Sequence, residues 1–200
     1  MILIKENFLP GSYCDEIQYK CQSQEFPWFY FEQIDDRYPE SQWNKFYSHL
    51  LISNGKHNSG MAPFFSLVAF VIEEELQMKI SNIMFMRTMM YTSVPEFSDV
   101  NRNKIELSDS DNAFVALLFI NDNDGEAMLI PNQKGKTKLI ENGDAPKKSN
   151  IQAKKNKVVI FNDEYVLHDL FPKTSRCKIV LQIIFEALPL NKEKNINDAI

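Results

Sequence analysis

The side chains that could do acid–base or metal chemistry are few, and the most suggestive lie near the C-terminal end. The chain has three histidines, and histidine is both a common metal ligand and a base near neutral pH. His49 lies in a strand-like run and His57 in a polar loop, where packed or solvated histidines are the ordinary outcome. His168 follows the apolar run Lys157–Asn162 and precedes Lys178 by ten residues. The sequence therefore directs attention to His168 and Lys178.

Lys178 lies in an apolar stretch, because Ile179, Val180 and Leu181 follow it directly. The period of two along a strand places Arg176 on the same face. A lysine in such a strand needs an anionic partner or a route to water, since an unpaired buried charge is costly. Two partners stay open at this point: a dicarboxylate ligand, or an Asp or Glu on a neighbouring strand.

Other chemistries do not fit the motifs. The turn Asp122–Gly125 resembles part of a calcium loop, but Ile120 and Pro131 would occupy positions that require carboxylates. The six glycines are scattered singly, without a phosphate-binding pattern. No serine lies in a nucleophile-elbow context. We therefore predict neither a calcium site nor a nucleotide site.

Charge is unevenly distributed along the chain. Twenty-two basic and 27 acidic residues give a net charge of −5, yet Lys134–Lys157 contains eight lysines against Glu141 and Asp144. This segment has no aromatic residue to stack a base and no arginine for bidentate readout, which argues against nucleic acid as a partner. A solvated edge strand, whose lysines prevent aggregation, explains the positive charge of this segment equally well.

The order of elements predicts one domain with a β-rich second half. Hydrophobic residues make up 44% of the 200 residues, as in globular proteins. We expect helices from Ser12, with Asp15 completing a capping box, and over Phe64–Gln77. Strands are expected early at 26–31 and 46–52, and later at 80–91, 113–120, 126–130, 137–140, 157–162 and 176–185. Short strands separated by turns indicate an antiparallel jelly roll.

The expected domain spans residues 1–190, followed by a flexible tail over 191–200. Residues 1–80 would supply supporting helices and strands, and 81–186 the core barrel. The longest apolar stretch, Ala62–Ile72, is shorter than the ~20 residues of a membrane span. Three unpaired cysteines and the lack of a signal-peptide pattern predict a soluble protein of the reducing cytoplasm.

Several motifs, taken in order, resemble the 2-oxoglutarate and Fe(II)-dependent oxygenases of prolyl 4-hydroxylase type. In that family an apolar strand leads to a metal-binding histidine, and a basic residue about ten positions later pairs with the cosubstrate carboxylate. Here Val158–Asn162, His168 and Lys178 have this arrangement. The run Ala113–Ile120 with its Asn121–Gly125 turn is similar to a hairpin of the family. Asn7-Phe8-Leu9 and Phe26-Pro27-Trp28 resemble small phage-type members.

The resemblance implies a double-stranded β-helix (a jelly roll, cupin-like), mainly β with N-terminal helices. It also implies Fe(II) and 2-oxoglutarate as cofactors and hydroxylation of an unknown substrate: a peptide, a nucleic acid or a small molecule. His168 and Glu106 would bind the metal. Lys178, with Arg176 and Tyr91, would bind the cosubstrate.

The chain departs from the family at the first pair of metal ligands. The family supplies them as His-x-Asp, whereas the matching segment, residues 101–108, contains no histidine. The closest fit places Lys104 and Glu106 there, and deprotonating a lysine at pH 7 costs roughly 4–5 kcal/mol before any metal bond forms. The motif is therefore degenerate and the metal site incomplete. The alternative function is a catalytically inactive jelly roll kept for binding, as a scaffold or oligomer subunit.

Overall fold

The computed structural model describes residues 1–31, 46–93, 102–105, 107, 112–132 and 149–190. These residues form two helices and twelve strands. The helices are α1 (Gly11–Gln22) and α2 (Ala62–Leu76). The strands are β1 (Ile2–Lys5), β2 (Phe29–Phe31), β3 (Phe46–Ser53), β4 (Lys56–His57), β5 (Met78–Thr92), β6 (Arg102–Ile105), β7 (Ala113–Phe119), β8 (Glu126–Pro131), β9 (Ser149–Gln152), β10 (Lys157–Asn162), β11 (Tyr165–Leu170) and β12 (Cys177–Pro189).

The described strands form two antiparallel sheets. The larger has eight strands in the order β1-β10-β7-β12-β5-β3-β2, with β4 paired to β3. The smaller has four strands in the order β6-β11-β8-β9. One apolar cluster joins inward side chains of both sheets, including Val115, Val159 and Leu129. This arrangement confirms the predicted jelly roll, in which two sheets enclose a common interior.

A second apolar cluster lies on the other face of the larger sheet, where the helices pack. Ile17 of α1 and Phe65 of α2 contact the same cluster as Leu118 and Ile160 of the sheet. The central strands are thus buried on both faces, which explains why β7 is an unbroken apolar run rather than an alternating one. The predicted strand positions 113–120 and 176–185 are confirmed as core strands.

Some local predictions differ from the structure. The capping box of Ser12 and Asp15 is wrong: α1 begins after Pro10 with no side-chain cap. Proline suits this place because its fixed φ prepares the first turn and it lacks an N–H that would go unsatisfied. The predicted strand at 137–140 lies outside the described residues. The strand β11 was not predicted, and its presence decides where His168 lies.

Within the described part of the chain, no helix is both long and apolar enough to cross a membrane.

Candidate functional site

The site is built on the two longest strands of the larger sheet. Lys178 near the start of β12 pairs directly with Tyr91 near the end of β5. Ile179 and Leu181 belong to the cluster beneath the helices, whereas Val180 belongs to the cluster between the sheets. By this alternation Lys178 projects between the sheets. Both Lys178 and Tyr91 are completely buried there.

Asp169 of β11 is the partner of Lys178. The Lys178 Nζ atom forms a very short ion pair with Asp169 Oδ1, and both side chains have no exposed surface. Lys178 Nζ also donates to the carbonyl oxygen of Glu126 at 3.1 Å and lies 5.1 Å from the centroid of the Phe119 ring. Of the two partners that the sequence left open, the structure contains the aspartate on a neighbouring strand.

Burial and pairing shift the pKa values of Asp169 and Lys178 in opposite directions. Burial raises the pKa of Asp169, against the lowering effects of Lys178 and of a hydrogen bond from Tyr91. Burial likewise lowers the pKa of Lys178, against the raising effect of Asp169. Each charge is tolerable only because the other is present. The pair is therefore a coupled unit that occupies the interior between the sheets.

His168 does not join Lys178. The sequence predicts no strand between 157–162 and 176–185, but β11 runs through His168. Successive side chains of a strand point to opposite faces, and Leu167 and Asp169 both face the interior with no exposed surface. His168 therefore lies on the outer face of the smaller sheet. On this face its ring lies apart from Lys178, which projects between the sheets.

The interior positions near the expected ligands are apolar. Ile105 and Leu107, two residues apart, are buried in the cluster between the sheets. Leu167 pairs directly with Ile105 and is buried beside it. These positions have the spacing of a His-x-Asp motif but carry hydrocarbon side chains. Glu106 lies outside the described residues, and Lys104 is described only as the backbone partner of His168.

The remaining predicted site residue, Arg176, is exposed just before β12 begins. The structure thus brings Lys178 and Tyr91 together and leaves Arg176 and His168 apart from them. Among the residues that the structure describes, no three His, Cys, Asp or Glu side chains are grouped closely enough to hold a metal ion. The donor set described at the interior, one aspartate already bound to a lysine, does not fit iron with 2-oxoglutarate.

Two interior polar residues were missed by the sequence analysis. Arg87 of β5 pairs directly with Gln182 of β12, and Arg87 Nε donates to Gln182 Oε1 at 2.8 Å. Gln182 is four residues after Lys178, so strand alternation already places it on the same face. The alternation of β5 could have identified Arg87 in the same way, from its parity with Tyr91.

Most of the predicted basic segment lies outside the described residues. Of its described lysines, Lys155 pairs with Asp15 at 2.5 Å, and Lys157 pairs with Glu6 at 3.1 Å. Lys154 also approaches Glu6, at 3.8 Å. These three lysines contact acidic groups of the N-terminal region.

Comparison with known proteins places the fold in one group of enzymes. No protein-family model matches the sequence, and no curated protein matches it either. Solved structures do match. A prolyl-4-hydroxylase from Pseudomonas putida has a TM-score of 0.50 and 12% identity, over 92% of this chain and 91% of that one.

Two other matches belong to the same group. A 2OG-Fe(II) oxygenase family oxidoreductase from Burkholderia pseudomallei has a TM-score of 0.59 and 7% identity, over 92% of this chain and 85% of that one. HygX from Streptomyces hygroscopicus, solved with nickel and 2-oxoglutarate, has a TM-score of 0.55 and 9% identity, over 92% of this chain and 82% of that one. At such identities the likeness shows the fold: a jelly roll of the kind found in 2-oxoglutarate and Fe(II)-dependent oxygenases.

Proposed function

We propose that this chain is an oxygenase-fold binding protein whose barrel interior does not perform iron- and 2-oxoglutarate-dependent hydroxylation. The observation that carries the proposal is the buried pair of Lys178 and Asp169. The group that would attract the cosubstrate carboxylate already has a carboxylate from its own chain.

Displacement of Asp169 by a ligand would be unfavourable. A 2-oxoglutarate carboxylate that took its place would leave the Asp169 carboxylate buried without its cation. Breaking a buried pair in this way costs about 3–5 kcal/mol. Protonation of Asp169 would reduce that cost but would still remove the interaction that holds Lys178. The interior therefore favours the internal pair over an external dicarboxylate.

The metal side of the site supports the same proposal. An iron site of this type needs two imidazoles and a carboxylate around open coordination positions. Ile105, Leu107 and Leu167 offer no lone pairs at the interior positions where the strands of the smaller sheet meet. Their side chains instead add to the apolar cluster that joins the two sheets.

Active oxygenase chemistry is the second candidate, and the fold and the spacing of His168 and Lys178 favour it. In that case His168 and Glu106 would hold iron, and Lys178 with Arg176 and Tyr91 would hold 2-oxoglutarate. His168 would have to face inward. Because side chains alternate, this requires β11 to slip by one residue, which would expel Asp169 and Leu167 from the interior.

Anaerobic titration with Fe(II) and 2-oxoglutarate tests the proposal, because a chelated complex gives a metal-to-ligand charge-transfer band. We expect no saturable band from the wild-type protein. The variant Lys173→Ala, which changes an exposed lysine, should behave identically. A saturable band that disappears in His168→Ala would contradict the proposal and establish the oxygenase candidate.

A further inference from the structure

Arg87 is a partly buried cation without a carboxylate partner in the described part of the chain. Its Nε–H donates to Gln182 Oε1, and no Asp or Glu oxygen of the described residues lies within 4.0 Å of its guanidinium. A guanidinium has five N–H donors. Within the described part of the chain, the contact with Gln182 occupies Nε–H, and the other N–H groups of the fork have no hydrogen-bond acceptor.

The groups around Arg87 bury much of its guanidinium but do not balance its positive charge. The guanidinium carbon lies 5.0 Å from the centroid of the Phe85 ring and 5.8 Å from that of Phe46. Burial lowers the pKa of Arg87, in opposition to a raising effect of Tyr91. Cation–π contacts offset part of this desolvation, but they cannot replace a hydrogen-bonded anion. Among the described residues, no negative charge therefore faces this guanidinium.

Arg87 is not completely enclosed by the described residues. Its side chain is only partly buried, and its direct partner on β3, Leu50, is 37% exposed. By contrast, Lys178 has no exposed surface. The two cations share the interior face of the larger sheet, but Lys178 is fully buried with Asp169, whereas Arg87 keeps part of its surface exposed among the described residues.

We propose that Arg87, with Gln182, binds the anionic group of a small ligand, a carboxylate or a phosphate, at the interior face of the larger sheet. The planar fork of an arginine fits either group through two parallel hydrogen bonds. Phe85 and Leu50 provide apolar surface beside the charge, which suits a ligand with an adjoining hydrocarbon part. The inference deepens the proposed function, because it gives the binding protein a ligand class.

Thermal unfolding of the full chain with defined anions tests this site. The probes are inorganic phosphate and succinate, each compared with chloride at equal ionic strength so that general screening is matched. An anion that binds only the folded state raises Tm in a saturable manner. We expect a saturable rise of a few degrees with at least one probe, and the stronger probe identifies phosphate or carboxylate as the preferred group.

Two variants assign the effect to Arg87. Arg87→Gln should abolish the rise, whereas Lys56→Gln, which removes an exposed cation of β4, should keep it. The absence of a saturable rise in the wild type, or an equal rise in Arg87→Gln, would overturn the proposal. Neither probe is added together with iron. A failure of the anion site can therefore be distinguished from a failure of the proposed function, which the charge-transfer titration tests.

A measurement on the unmodified chain covers the case in which Arg87→Gln does not fold. Phenylglyoxal modifies accessible guanidinium groups, and mass spectrometry of the digested protein reports each arginine. The effective anion should slow modification of Arg87 several-fold and leave Arg176 unchanged. Equal modification of Arg87 with and without the anion would contradict the site.

Discussion

Lys178 shows how a single residue can suggest one chemistry and take part in another. Its apolar neighbours in sequence required an anion, and a dicarboxylate ligand or a strand aspartate would both meet that need. The structure contains Asp169, whose carboxylate is completely buried against the lysine. The requirement for an anion was predictable from sequence. Its identity was not, because β11 had not been recognised as a strand.

Removal of Asp169 alone should be far more damaging than removal of the whole pair. Asp169→Ala removes the carboxylate that pairs with a fully buried ammonium, so we expect the free energy of unfolding to fall by about 3–5 kcal/mol. Asp169→Leu combined with Lys178→Met removes both charges and should recover most of that loss. Urea unfolding measures both effects. If the double variant is as unstable as Asp169→Ala, the pair is not a coupled unit.

Asp124 should stabilise the protein in a pH-dependent way. Its carboxylate accepts hydrogen bonds from the Thr174 N–H at 2.7 Å, the Thr174 hydroxyl at 2.6 Å and the Ser175 N–H at 3.0 Å. Partial burial raises the pKa of Asp124, but these bonds outweigh it and lower the pKa well below its ordinary value. A lowered carboxyl pKa stabilises the fold above the unfolded-state value, near 3.9, and this stabilisation is lost as pH falls.

We therefore expect Asp124→Ala to lower the free energy of unfolding by about 1 kcal/mol at pH 7, after allowance for solvent screening. The difference from wild type should shrink below about pH 4. Urea unfolding between pH 3 and 7 measures it, with Asp163→Ala as a control for a surface aspartate. A difference that stays constant across this range would show that the ionised carboxylate is not the stabilising group.

At the scale of elements, His49 connects β3 to the segment that leads into α2. Its Nδ1 lies 2.9 Å from the carbonyl oxygen of Pro27, so Nδ1 carries the proton. Its Nε2 then accepts from the Ser59 hydroxyl at 2.7 Å. His49 is 6% exposed, and its ring stacks on Phe29. Of the two ordinary outcomes expected for this histidine, a packed or a surface residue, the structure shows the packed one.

Acidification should remove the stability that neutral His49 gives to the fold. Burial lowers the pKa of His49, against a smaller raising effect of the Pro27 carbonyl. The unfolded chain then takes up the proton more readily, so stability should decrease as pH falls below about 6.5, the unfolded value. Urea midpoints between pH 5 and 7.5 test this. His49→Gln should flatten the dependence and His57→Gln should not. An unchanged slope in His49→Gln would contradict the assignment.

The elements differ in how readily their sequences reveal them. The core strands β7, β10 and β12 are long apolar runs, and the sequence predicts all three. By contrast, β11 contains His168 and Asp169 among its apolar residues, and β6 pairs with it in a short four-residue strand. A one-residue change of register exchanges the faces of such a strand. The site residues on β11 could therefore not be assigned before the strand was known.

At the scale of the whole molecule, the fold does not determine the chemistry. The jelly roll resembles structures of oxygenases over 92% of this chain at 7–12% identity. Two sheets need an apolar interior in order to pack. Ile105, Leu107 and Leu167 contribute to that interior, so the sheets pack without metal ligands at these positions. Strand order and apolar patterning thus explain why sequence predicted the fold, while catalysis depends on a few interior side chains.

The central claim is that this barrel does not turn over 2-oxoglutarate, and succinate formation tests it most directly. The purified chain is incubated aerobically with Fe(II), ascorbate and 2-oxoglutarate, and succinate is measured by NMR against a mixture without protein. Succinate would be formed from 2-oxoglutarate itself, so the assay detects turnover of the cosubstrate directly and does not require the substrate's identity. We predict equal succinate with and without the protein. Iron-dependent succinate formation above the protein-free level that is lost in Lys178→Met would contradict the account.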